Sequence, residues 1–228
     1  MVGGTDPAAT RALVLVLHGG RSRGYQPPSN LRLAYRRMLP FARALRRAGH
    51  ADGLAVWVLR YRYRGWNAPD LDPVTDARWA LEQARERHPG VPVLLLGHSM
   101  GARAALRVAG DPAVVGVCAL APWIEPGEPY RQLAGRSLLI AHGDRERMTS
   151  PSASFQYALA ARQVSDRVCR FDVIGDGHAM LRRAADWTWL VCRFALGELR
   201  MEPRHPQITK AMEAPSPEGL RTPLVVGG

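Results

Sequence analysis

The stretch Val91-Pro92-Val93-Leu94-Leu95-Leu96-Gly97-His98-Ser99-Met100-Gly101-Ala102-Arg103-Ala104-Ala105-Leu106 decides how the rest of the chain is read. Its first half is an unbroken aliphatic run, the pattern of a strand covered on both faces. Its second half, rich in alanine and leucine, favours a helix. Between them Ser99 stands two residues after one glycine and two before another. A chain that passes from buried strand to helix in so short a turn leaves room only for hydrogen on the flanking Cα atoms. Such a turn holds the serine in a strained conformation with its hydroxyl raised above the sheet edge. Of the nine serines, only Ser99 ends a buried run between glycines. The plainer alternative is a serine that merely caps the helix.

Working outward, five more apolar runs predict strands near Arg11–Leu17, Leu54–Leu59, Val114–Ala121, Arg136–Ala141 and Val168–Val173, in addition to Val91–Leu96. The last is broken by Arg170 and Asp172 and reads as a strand nearer the edge. Helical patterns fall between them at 31–49 (bent at Pro40), 74–88, 100–110, 151–164 and 179–198, with at most a short helix near Tyr130–Ala134. Strand and helix alternating in this way predict an α/β fold, a mostly parallel sheet of about six strands with right-handed crossovers. Ligands then gather at the carboxyl ends of the strands. The pattern stops near Met201, so residues 1–200 read as one domain. Residues 201–228 read as a proline-rich tail, poorly ordered or docked on the surface.

With 228 residues and 46% hydrophobic content the chain can bury a sizeable core. No stretch reaches the ~18 apolar residues needed to span a bilayer, and the run Ala12–Leu17 is too short for a signal-peptide core and lacks a cleavage site. A soluble, cytoplasmic protein is expected. Cys118, Cys169 and Cys192 lack metal-ligand spacing and read as buried thiols in a reducing compartment. The net charge of +11 rests almost wholly on arginine, Lys210 being the sole lysine. The arginines are scattered over amphipathic segments; Arg32, Arg36, Arg43 and Arg47 alternate with Leu31, Tyr35, Met38 and Leu45 as the wet face of a helix. Without a recognition motif, this charge does not argue for nucleic acid.

A serine nucleophile needs a base, and the base needs an acceptor to orient it. Among the seven histidines, His178 alone follows the last predicted strand in a glycine-containing loop, Ile174-Gly175-Asp176-Gly177-His178-Ala179-Met180. Past the fifth strand lie two carboxylates, Asp144 and Glu146, and either can serve as the orienting acid.

Four motifs in order, LVLHGG, GHSMG, HGDRERMTSP and GDGHAM, make residues 11 to 198 resemble the α/β-hydrolase superfamily in its compact form without a lid domain. The resemblance implies Ser99 as nucleophile and His178 as base. It favours Glu146 over Asp144 as acid, because Glu146 stands where relatives commonly carry a catalytic aspartate. It also implies an oxyanion hole from the backbone N–H groups of Gly20 and Met100, with Arg21 in place of Gly20 if the loop is shifted. No metal or organic cofactor is implied. Lids of the superfamily usually enter between the fourth and fifth strands, where only the fifteen residues Ala121–Gly135 lie. An open site follows, partly covered by the loop Gly20–Asn30. Trp66 and Trp123 are candidates to line an apolar pocket, and Arg62 or Arg64 to favour anionic substrates. The leading expectation is a serine carboxylesterase acting on a small acyl ester. Thioester hydrolysis or acyl transfer, amide hydrolysis, and a non-catalytic binding protein on the same fold are the alternatives. Oligomeric state is not legible.

Overall fold

A computed structural model describes residues 10–27 and 32–225. Its seven strands are β1 (Ala12–Leu17), β2 (Leu54–Leu59), β3 (Val93–His98), β4 (Val114–Leu120), β5 (Ser137–Gly143), β6 (Val168–Val173) and β7 (Thr222–Pro223). They form one sheet in the order β2-β1-β3-β4-β5-β6-β7, every pair parallel. Strand order reverses at β1, so the carboxyl ends of β1 and β3 lie side by side, with Leu17 opposite Gly97. That reversal is where such sheets open a crevice for a ligand.

The aliphatic strands read as continuous runs because both faces are covered. Alternate residues point to opposite sides. Leu13, Leu15 and Leu17 join one core layer with α3 (Asp72–Arg87), α4 (Met100–Val108) and α5 (Pro151–Ala161), through residues such as Leu81, Leu106 and Tyr157. Val14 and Val16 join the other layer with α2 (Leu39–Gly49), α6 (Ala184–Glu198) and α7 (Pro206–Glu213), through Phe41, Trp187, Phe194 and Ile208. The three cysteines are unpaired and lie in this second layer.

Several boundaries differ from the sequence reading. The helix expected over 31–49 is two helices, α1 (Leu33–Arg36) and α2, and residue 31 lies outside the described residues. Pro40 does not bend a continuous helix; it occupies the first turn of α2, where its missing N–H is not needed. The covering loop Gly20–Asn30 is described only to residue 27, and Arg21 there bridges to Gly65. The last long helix starts at Ala184 rather than 179, because the Asp176 carboxylate takes the Arg183 N–H at 2.9 Å and the Trp187 indole N–H at 3.0 Å. No lid stands between β4 and β5; that link carries one short 3-10 turn, Arg131–Leu133.

The segment after residue 200 carries α7 and β7, and β7 extends the sheet by pairing Thr222 with Phe171. Ile208, Leu220 and Leu224 are buried. The Arg162 guanidinium donates to the carbonyls of Ala211 (3.0 Å) and Ala214 (2.8 Å) at the end of α7, and that of Arg170 to Leu220 O (3.1 Å). Among the described residues no helix is long and apolar enough to cross a membrane.

If α7 is a part of the core, Ile208→Ala will lower unfolding stability by about 2–4 kcal/mol. Urea denaturation measures this, and a loss below about 0.5 kcal/mol would mean that α7 only rests on the surface.

Candidate active site

Ser99 has φ 55° and ψ −117°, a conformation sparsely populated by any residue with a side chain. The sheet and helix hold it there. Its N–H donates to Leu120 O at 3.0 Å, and its carbonyl accepts from Arg103 N–H (3.2 Å) and Trp123 N–H (3.3 Å). The flanking glycines are required by space. A Cβ at Gly101 would lie 2.3 Å from Leu17 O and 2.5 Å from His18 O. One at Gly97 would lie 2.5 Å from Ala102 Cα. The Ser99 side chain therefore stands at the N-terminus of α4, whose first amides have no partner within the helix.

His178 is presented by the loop between β6 and α6. Its Nδ1 lies 2.9 Å from Glu146 Oε2. A carboxylate only accepts, so Nδ1 carries the proton and Nε2 keeps a free lone pair. The Glu146 side chain is wholly buried and that of His178 is 11% exposed. Glu146 Oε1 accepts from the N–H groups of Met148 (2.6 Å), Arg147 (2.8 Å) and Thr149 (3.3 Å). Burial alone would push the Glu146 carboxyl up; the hydrogen bonds from His178, Met148 and Thr149 outweigh it and bring the pKa down from 4.5 to about 2. Asp144 turns elsewhere and accepts the Gly175 N–H at 2.7 Å. The structure thus brings Glu146, and not Asp144, to His178. The Ser99 hydroxyl makes no hydrogen bond to another described residue, and the serine–histidine link is open in this state. Such links often tighten only when substrate is bound.

Gly20 packs against Met100: a Cβ on Gly20 would lie 2.4 Å from Met100 Cε. The Arg21 N–H is engaged by Arg64 O at 2.9 Å, which leaves Gly20 rather than Arg21 with an amide to offer. Trp66 and Trp123 meet edge to face with centroids 6.0 Å apart. The Arg103 guanidinium lies 4.4 Å from the first ring and 4.6 Å from the second. The structure therefore gives these two rings a cation to hold, where the sequence suggested an apolar pocket. Arg103 also bonds to buried Glu128 at 2.6 Å, which fastens the β4–β5 link to α4. Arg62 is occupied by Asp76 and Asp72, while Arg64 lines a cleft beside Gly20. Among the described residues no group of three or more His, Cys, Asp or Glu is placed to hold a metal ion.

Sequence reading passed over three residues here. Asp176 anchors the His178 loop through Gly177 N–H (2.8 Å), Arg183 N–H and Trp187, and these bonds depress its pKa against the opposing effect of burial. His98 Nε2 donates to the His178 carbonyl at 3.1 Å. Arg37 donates to the same carbonyl at 3.4 Å. The Asp two residues before His178 was a visible signal; Arg37 looked like any other solvated arginine of a basic helix.

Compared with known families, the chain belongs to the alpha/beta hydrolase family, whose model matches residues 13–227. Compared by sequence with curated proteins, it matches none. Solved structures share the fold at low identity. An alpha-beta serine hydrolase homologue from Coxiella burnetii is 18% identical, with a TM-score of 0.61 over 81% of this chain and 85% of that one. A serine hydrolase without lid from Xanthomonas campestris is 20% identical, with a TM-score of 0.59 over 87% and 85%. The esterase domain of a Rhodothermus marinus protein is 17% identical, with a TM-score of 0.60 over 84% and 88%.

The depressed Glu146 pKa makes a pH-dependent contribution to stability, with a definite sign. It is present in full above the unfolded value of 4.5 and is lost as pH falls toward about 2. The stability gap between wild type and Glu146→Gln should therefore be fully present at pH 6 and shrink steadily as pH falls from about 4.5 to about 2. Urea melts over that range measure it, and a gap independent of pH would show that the carboxylate is not held as a charged acceptor.

Proposed function

We propose that this protein is a serine hydrolase that cleaves carboxylic esters through an acyl-enzyme intermediate. The observation that carries the reading is the buried His178–Glu146 bond of 2.9 Å on the same sheet edge as the strained Ser99. Ser99 Oγ attacks the acyl carbonyl while His178 Nε2 takes its proton. Glu146 fixes the imidazole tautomer and stabilises the imidazolium that forms. The N–H groups of Gly20 and Met100 receive the oxyanion. Collapse of the tetrahedral intermediate expels the alcohol, which takes the proton from His178. Water, deprotonated by His178, then attacks the acyl-enzyme and releases the acid, and the proton returns to Ser99. The link between β4 and β5 carries no lid, which suits short acyl groups better than long lipid chains. The likeness to an esterase domain supports the ester reading, and the three unpaired buried cysteines support a reducing, cytoplasmic setting.

A fluorophosphonate probe should label Ser99 covalently in the wild type and leave Ser99→Ala unlabelled. Turnover of short phenyl esters should fall roughly 10⁴–10⁶-fold in Ser99→Ala and His178→Ala. Glu146→Gln should cost far more activity than Asp144→Asn. Near-normal rates in either of the first two variants would remove Ser99 and His178 from the mechanism, and the reverse order of the last two would move the acid to Asp144.

A further inference from the structure

Beside Gly19 and Gly20 opens a cleft of about 430 Å³ whose walls include Arg21, Arg32, Arg64, His18 and Tyr35. Three arginines face it, and none of its described lining residues is acidic. Eight arginines elsewhere are matched by acids: Arg62, Arg85, Arg103, Arg107, Arg170, Arg183, Arg193 and Arg204 each sit against a carboxylate. Arg21, Arg32 and Arg64 form no ion pair with any described residue.

The backbone fixes this crowding. Arg21 N–H donates to Arg64 O (2.9 Å), Trp66 N–H to Arg21 O (2.7 Å) and Arg64 N–H to Gln26 O (3.1 Å), so the two segments are clasped side by side. The stem of Arg64 lies against Gly24, where a Cβ would come within 2.9 Å of its Cγ and Nε. Its Nε is buried with no partner. Burial first, and then repulsion from Arg32 and Arg21, depress the Arg64 pKa. Like charges held together without a counter-charge raise the energy of the empty cleft, and a bound anion lowers it. Guanidinium groups also match carboxylate and phosphate oxygens in geometry. The cleft adjoins the candidate nucleophile, because a Cβ on its wall residue Gly19 would lie 3.5 Å from Ser99 Cβ.

We propose that this cleft binds an anionic group, carboxylate or phosphate, carried by the ester substrate, with Arg21, Arg32 and Arg64 as its ligands. The inference rests on the serine-hydrolase reading and names the substrate class of that same site: short esters bearing a negative charge on the acyl or the alcohol part.

The test compares kcat/KM for phenyl butyrate, 4-carboxyphenyl butyrate, 4-phosphophenyl butyrate and monophenyl glutarate, in the wild type, Arg64→Gln, Arg64→Lys and the Arg21→Gln/Arg32→Gln double variant. At least one charged ester should be preferred over phenyl butyrate by about 10-fold or more, which tells carboxylate from phosphate and acyl side from alcohol side. The preference should shrink with added salt, fall about 10-fold in Arg64→Gln and recover in part in Arg64→Lys. A wild type with no preference, or a preference that no arginine variant changes, overturns the proposal. Calorimetric binding of phenyl phosphate, with benzyl alcohol as the neutral control, separates the two readings. Phenyl phosphate binding that weakens in Arg64→Gln supports the cleft even if no ester is turned over, a result that would sink only the hydrolase reading. Ester turnover with neither charge preference nor phenyl phosphate binding sinks only the anion site.

Discussion

The backbone of α4 passes so close to the end of β1 that a methyl group at residue 101 would lie 2.3 Å from the carbonyl oxygen of Leu17. The candidate site depends on this approach. It fixes where the helix begins and forces Ser99 to φ 55° to make the turn. It also sets Gly20 against the side chain of Met100, the residue that follows the serine. Strain of this kind costs on the order of 1–3 kcal/mol and persists only where its surroundings over-determine it. Here β4 holds the Ser99 N–H, and the carbonyl is held both by α4 and by the link toward β5. That same link is fastened by Arg103 between two tryptophans and Glu128. A connection that elsewhere could grow into a lid serves here as a brace.

The other half of the site hangs on two loops that hold each other. Arg145 N–H donates to Asp176 O at 2.9 Å, and Gly175 N–H donates to Asp144 at 2.7 Å. The neighbouring carboxylates therefore divide their work: Asp144 fastens the loop that carries His178, and Glu146 meets the ring. The backbone of His178 is gripped from two further directions, by His98 at the end of β3 and by Arg37 between α1 and α2. The imidazole is positioned by elements far apart in sequence, so its place is set by the packed sheet and not by its own loop alone.

This division explains what was legible in the sequence. The six long strands could be read because two-sided burial leaves an aliphatic run, and the elbow because its glycines leave a fixed spacing. The Glu146–Asp144 choice stayed open from residues alone, since both are carboxylates in one polar loop and only their amide partners separate them. β7 escaped because two residues, Thr222–Pro223, carry no pattern. The burial of α7 escaped because prolines surround it, and its carbonyls are met by Arg162, a side chain some fifty positions earlier. Trp66 and Trp123 were visible as aromatic residues near the strand ends, but the cation between them comes from α4 and leaves no local trace.

The histidines show how burial selects among chemically equal groups. His18, His98 and His142 all lie near the carboxyl ends of strands, as a base would. Burial drives His18 down to about 4 and His142 to about 3, and holds His98 well below its ordinary value. All three are neutral at pH 7. Their neutrality matters for the ring at 178, which in the proposed mechanism becomes an imidazolium as Ser99 is deprotonated. A charged His98, whose ring centroid is 4.6 Å from that of His178, would oppose this step directly. A charged His142, 3.9 Å from Glu146 Oε2, would compete for the carboxylate. With its neighbours kept uncharged by the core, the negative charge of Glu146 is left to act on His178, the one histidine of the four that meets it through a direct hydrogen bond.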